Sequence, residues 1–84
     1  MVVEKEIGKV THYFGHISVV IVVLSDELKK GEKIHIKGHT TDFHEVAESV
    51  QIEKVDVNEA KAGDVIGLKV TQEAREGDRV YLVK

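Results

Sequence analysis

The chain has 84 residues, which is enough for one domain spanning 1–84 and too few for two. It contains no cysteine and no proline; the first absence excludes disulfides, thiolate zinc sites and a cysteine nucleophile, and fits a reducing compartment. Fifteen acidic residues against twelve basic ones leave a net charge of −3, so no whole-molecule field draws the chain to nucleic acid or to an anionic membrane.

Strand signals dominate in chain order. Val2 to Phe14 reads as one long strand with a bend or bulge at Gly8. Ile17 to Leu24 is a nearly continuous β-branched run, as in a centrally paired strand. Lys33 to Lys37 alternates, with Ile34 and Ile36 on one face and His35 on the other. Phe43 to Val55 is long and mostly alternating. The exception is Glu48, whose parity sets it with Val46 and Val50; a register shift is favoured there over a buried carboxylate, because burying an unpaired charge is costly. In Asn58–Gly63 a cap-type Asn, helix formers and a terminal Gly predict a single helical turn. Val65 to Val70 and Arg79 to Val83 complete the set. The expectation is an all-β, six-stranded Greek-key-type barrel with one short helical turn.

One local pattern occurs three times: Leu28-Lys29-Lys30-Gly31-Glu32, Ala60-Lys61-Ala62-Gly63-Asp64 and Ala74-Arg75-Glu76-Gly77-Asp78, each followed by an alternating strand. Physically it is a tight turn entering a strand. The Gly takes a positive φ, the acid bonds backbone N–H groups within the turn, and the leading apolar residue plugs the barrel end.

These turns, in this order, resemble the barrel domain of elongation factor Tu and its relatives. Gly8-Lys9-Val10 resembles the G-x-V that opens that domain. Ala60–Leu68 is similar to its A-x-[AP]-G-[DE]-x-[VI]-[GA]-[LI] element, and Ala74–Val80 to its final turn. A related barrel closes the C-terminus of collagenase-like peptidases, and the two relatives are not separated by these residues. The resemblance implies a translation-protein type of barrel that helps hold the aminoacylated end of tRNA and docks on a GTPase domain. It does not carry the GTPase itself: no G-x-x-x-x-G-K-[ST] loop is present, so no GTP is expected to bind. Gln51 stands where the family pocket has an acid, and Val65 where it commonly has Asn. Both departures count against an aminoacyl-tRNA pocket.

Lys29, Lys30, Lys33, His35, Lys37 and His39 form one basic segment in an acidic chain. Lys33, His35 and Lys37 share the outward face of one strand, and such a stripe can track phosphates, so these six are the candidate RNA-binding residues. The alternative is a solvated face whose lysines guard a sheet edge. The five histidines raise the question of a metal. A barrel could bring His12 or His16 near His35, but three or four converging ligands are needed, and neither a metal site nor a cofactor is expected.

No enzyme is expected, since no nucleophile elbow, cofactor motif or cleft signal is present and no catalytic residue stands out. The longest apolar run, Val19–Leu24, is far shorter than a membrane span, and the first residues lack a signal peptide's pattern, so a cytoplasmic location is expected. The expected function is a binding module for RNA or a ribosome-linked protein. The alternative is a docking subunit for a separately encoded enzyme or for self-association, because Val2, Val3, Val20, Val22, Val65 and Val83 cannot all face so small a core.

Overall fold

A computed structural model describes residues 3–84, and every regular element among them is a β-strand. The strands are β1 (Glu4–Phe14), β2 (Val19–Leu24), β3 (Leu28–Lys29), β4 (Lys33–Lys37), β5 (Asp42–Val46), β6 (Val50–Ile52), β7 (Val55–Asp56), β8 (Glu59–Ala60), β9 (Val65–Lys69) and β10 (Arg79–Val83). Val2, with which the expected first strand begins, lies outside the described residues.

Ten strands replace the expected six for two reasons. The run Phe43–Val55 does not stay extended. At Ala47 its backbone leaves β5 to exchange bonds with the first turn: Ala47 donates to the Glu32 carbonyl at 2.9 Å and accepts from Gly31 N–H at 2.8 Å. The chain kinks, Glu48 is exposed, and Val50 re-enters the core in a shifted register, as the parity of Glu48 suggested. A few residues on, Glu53 (φ 52°) and Lys54 (φ 66°) both take left-handed backbone and fold β6 onto β7. The second reason is that the expected helical turn at Asn58–Gly63 is absent. Glu59 and Ala60 pair instead with Lys29 and Leu28, and Ala60 is buried. Tertiary pairing outweighs the local helix propensity there.

The main sheet runs β5-β4-β10-β1-β2-β9-β6-β7, all neighbours antiparallel, with β3-β8 as a separate ribbon. The stretch 42–56 carries both ends of the roll, because β5 pairs with β4 at one edge while β6 pairs with β9 and folds back onto the other edge strand, β7. Thr71, just past β9, donates its N–H and its hydroxyl to the Glu45 carboxylate on β5, each at 2.8 Å. The result is barrel-like. Its interior is filled by Ile7, Val10, Val20, Val22, Leu28, Ile34, Ile36, Ile66, Leu68 and Val80, none more than 1% exposed. No helix among the described residues is long and apolar enough to cross a membrane.

The three repeated turns have one geometry. Gly31, Gly63 and Gly77 have φ of 94°, 93° and 94°. The acid after each Gly accepts the N–H three residues back: Glu32 from Lys29 at 2.7 Å, Asp64 from Lys61 at 2.8 Å, Asp78 from Arg75 at 2.8 Å. The leading residues Leu28, Ala60 and Ala74 are all buried. Gly8 serves differently. It sits at the register shift between β1 and β10, and a Cβ there would fall 2.6 Å from Val22 Cγ1 and 3.0 Å from the Val23 carbonyl.

These two glycine roles separate by mutation. A Cβ at Gly63 meets nothing within 4 Å, so Gly63→Ala loses only the backbone term, about 1–2 kcal/mol. Gly8→Ala has no left-handed backbone to strain, but its Cβ meets the Val23 carbonyl as well as Val22, a collision that falls toward the upper end of about 1–3 kcal/mol. Urea unfolding should rank Gly8→Ala as the more damaging of the two; equal midpoints would contradict this ranking.

Candidate functional site

The outward face of β4 holds the densest group of titratable side chains. Register sets it: His35 stands directly opposite His44 on β5 and Tyr81 on β10. The two imidazoles stack with centroids 4.0 Å apart and planes 14° from parallel, and the Tyr81 ring lies 6.1 Å from His35. Glu4 reaches in from the start of β1, and Asp42 from the start of β5. His35 Nδ1 lies 2.8 Å from Glu4 Oε1, and His35 Nε2 lies 2.5 Å from Asp42 Oδ1. The second oxygen of Glu4 is 3.5 Å from His44 Nε2.

His35 therefore departs from the sequence reading. Its parity does point it out of the barrel, but the residue is only 7% exposed, covered by Glu4, Asp42, His44 and Tyr81. Each ring nitrogen faces a carboxylate, and a carboxylate only accepts; the imidazolium, with a proton on both nitrogens, is the form that satisfies both bonds. Burial works against that charge, but the bonds to Glu4 and Asp42 outweigh it and hold the His35 pKa above its usual 6.5. The bond with His35 in turn holds Glu4 and Asp42 below their ordinary values, against the opposing effect of desolvation.

The other candidate RNA-binding residues stay apart from this group or are neutralised near it. Lys33 and Lys37 flank His35 on β4 and are exposed, but Glu4 and Asp42 place two negative charges at the centre of the stripe. Lys37 stands opposite Asp42 in the ladder. Lys29 lies on β3 and pairs with Glu27 at 3.5 Å. Lys30 and His39 are exposed in turns. The six do not form one continuous basic groove. His12 and His16, the suggested neighbours of His35, sit at the far end of β1 and in the following turn. The residues that do join His35 were not singled out as ligands: Glu4 is 31 positions away in sequence, and His44 is recognisable only once the β4–β5 register is known.

A second feature lies on the outer face of β2 and β9. Val23 faces Val65, Ile21 faces Gly67, and Val19 faces both Phe14 and Lys69. Phe14, Val23 and Val65 are 47%, 40% and 52% exposed, and Ile17 in the adjoining turn is 60% exposed. Gly67 leaves the middle of this face bare. The position of its missing Cβ lies 3.6 Å from Val19 Cγ1 and 3.9 Å from Ile21 Cδ1, and the shallow trough over Gly67 has Ile17 and Val19 on one side and the polar Ser49, Gln51 and Lys69 on the other.

The first likeness is one of fold alone. The C-terminal domain of a putative U32 peptidase from Geobacillus thermoleovorans superposes with a TM-score of 0.85 at 16% identity, over 90% of this chain and 96% of that one. That structure is a selenomethionine variant; a second structure of the domain also gives a TM-score of 0.85 and is covered over 89% of its length. No family model matches the chain. By sequence, the chain is 45% identical over 80 residues to an uncharacterized protease of Methanocaldococcus jannaschii. That match takes in 94% of this chain and 20% of the protease, so the chain spans about a fifth of the length of this curated relative.

Two expectations change. The likeness falls on the peptidase side of the sequence resemblance; the link to elongation factors, and with it the translational role, gains nothing from these matches. The expectation that the chain is no enzyme is overturned by its likeness to part of a protein named a protease.

The ion-pair cluster makes a pH prediction with a definite sign. His35 has a raised folded pKa, so its contribution is complete below its unfolded value, about 6.5, and is lost as pH climbs through the folded value. Glu4 and Asp42 have lowered folded pKa values, so theirs is present above about 4.5 and is lost as pH falls through the folded values. Asp26, bonded by Lys5, adds to the acid side. Thermal midpoints should be highest in mildly acidic buffer and decline toward alkaline pH, and His35→Gln should flatten the alkaline decline. A wild-type midpoint that rises steadily from pH 6 to pH 9 would exclude this assignment.

Proposed function

We propose that this barrel is a docking module of a U32-type peptidase, seated on the remainder of that enzyme through the outer face of β2 and β9. The observation that carries this reading is the half-exposed apolar face of Phe14, Ile17, Val23 and Val65 around Gly67, on a chain that matches one fifth of a protease. Isolated exposed valines are ordinary, but Val23 and Val65 are cross-strand partners, and Phe14 stands opposite Val19 further along the same outer face of β2, next to the turn that carries Ile17. The occupant is taken from the relative, in which the matched fifth is joined to the other four-fifths of the protease. Lys9 and Lys69 flank the patch, so the complementary surface should be apolar with an acidic rim.

The face also suits the physics of docking. Flat, twisted strands with short branched side chains lose little conformational entropy when covered, because Val and Ile have few rotamers to give up. The basic stripe on β4 has no comparable continuity, since two carboxylates divide it.

The test uses the purified chain and the portion of the Methanocaldococcus jannaschii protease outside the matched fifth. A 1:1 complex is expected in gel filtration, stable at high salt, with Val23→Glu/Val65→Glu weakening it by more than about tenfold. Both positions are exposed, so the variant should keep its fold. Binding that survives this variant but is lost in Lys33→Glu/Lys37→Glu would refute the apolar docking face.

A further inference from the structure

We propose that Glu4, His35 and His44 form a binding site for a borderline divalent transition metal of the zinc class, with Asp42 as the brace of His35. Four observations support this site. First, three ligand atoms from three different strands converge: the Glu4 carboxylate, one nitrogen of His35 and one nitrogen of His44 all lie within 4.8 Å of one another. Ligand atoms around a tetrahedral zinc, with bonds near 2.0–2.1 Å, sit roughly 3.3 Å apart. The Glu4 Oε2 to His44 Nε2 distance of 3.5 Å is already close to that. The Glu4 to His35 distance of 2.8 Å must open to admit the ion, and the His44 ring, now stacked on His35 at 4.0 Å and 14° from parallel, must turn so that both nitrogens point at it.

Second, the donor set is chemically selective. Two imidazoles and one carboxylate suit zinc, cobalt, nickel or copper; calcium and magnesium prefer all-oxygen shells. Third, His35 carries the outer partner that metal-binding histidines usually have. Its Nε2 bonds the Asp42 carboxylate at 2.5 Å, which fixes the ring and leaves Nδ1 to face Glu4 and the metal. Fourth, the site is anchored at one side and open at the other. The His35 side chain is 9% accessible, whereas those of Glu4 and His44 are 30% and 46% accessible. The buried ligand is held, the exposed ones can close on the ion, and a water can complete the shell.

Binding is an exchange of one positive centre for another. The metal takes the place of the proton that His35 Nδ1 shares with Glu4, and that proton passes to solvent. The carboxylates that satisfy the imidazolium then satisfy the metal, Glu4 directly and Asp42 through the ring. The open coordination position leaves room for a carboxylate or carbonyl oxygen from outside.

The test is titration of the untagged chain with zinc by calorimetry, paired with visible absorption of the cobalt form. One metal per chain is expected, with a cobalt band of tetrahedral intensity. His44→Ala removes an exposed ligand and should weaken binding by at least about tenfold while leaving the fold intact. Asp42→Asn should weaken it by about 10–100-fold without removing a ligand. A His12→Ala/His16→Ala/His39→Ala chain should bind as the wild type does, which excludes capture by exposed histidines. Absence of stoichiometric binding in the wild type would overturn the proposal. So would binding that survives His44→Ala, or binding lost from the triple variant.

Discussion

Three corners of the same construction organise this fold. In each, a glycine takes a left-handed backbone, and the acid after it bonds the N–H three residues back. Each corner closes its own local bonds, while its glycine N–H donates at long range, to the carbonyls of Ala47, Leu24 and Val10, and so ties the corner to the rest of the sheet. What each corner launches is a strand with a defined face. The Gly31 corner sends out β4, so Ile34 and Ile36 enter the core and His35 turns outward. The Gly63 corner sends out β9, with Ile66 and Leu68 inside and Val65 and Gly67 outside. The Gly77 corner sends out β10 between β1 and β4, which carries Glu4 on β1 to within reach of His35. Both surfaces of interest thus depend on these turns. A one-residue slip at any of them would exchange its strand's inner and outer faces.

This dependence accounts for what could be read from the chain alone. The corners were legible because their signals lie within five consecutive residues and their physics is local. The bulge at Gly8 was legible because a lone glycine inside a strand pattern usually marks a bulge or a close approach of backbone. The break-up of Phe43–Val55 was not, because it is decided by bonds from Ala47 to Gly31 and Glu32, residues of another turn. Nor was the hairpin at Glu53–Lys54 legible, since neither residue is a usual choice for left-handed backbone. The pairing of Glu59 and Ala60 with β3 overrode good helix formers for the same kind of reason.

The site was half legible. Alternation placed Lys33, His35 and Lys37 on one outer face, and the structure agrees. Alternation cannot say what lies over that face, and the cover comes from both ladder neighbours and from β1. An outward-facing residue was therefore read as solvated when it is buried. Glu4, in a run of charges near the start of the chain, had no local mark to separate it from Glu6 or Lys5. Only the sheet order gives it a role.

The two outer surfaces differ in what they ask of the surrounding water. On β4 and β5, a buried imidazolium is tolerable because two carboxylates face its two N–H groups; remove either and a charge is left in a place water scarcely reaches. On β2 and β9, Lys69 and the neighbouring Gln51 can stay hydrated at the edge, and the free energy to be gained comes from excluding water from valine and isoleucine. In sheet order β10 and β1 lie between β4 and β2, and β1 contributes to both surfaces at its opposite ends, Glu4 to the polar one and Phe14 to the apolar one. A partner seated on the apolar wall would leave the mouth between Glu4 and His44 open to solvent. The barrel can then be held by one wall while the other keeps its polar chemistry available. A fold with an interior fully occupied by side chains has only its walls with which to meet other molecules, and here β1 runs from Glu4 in the polar group to Phe14 in the apolar one.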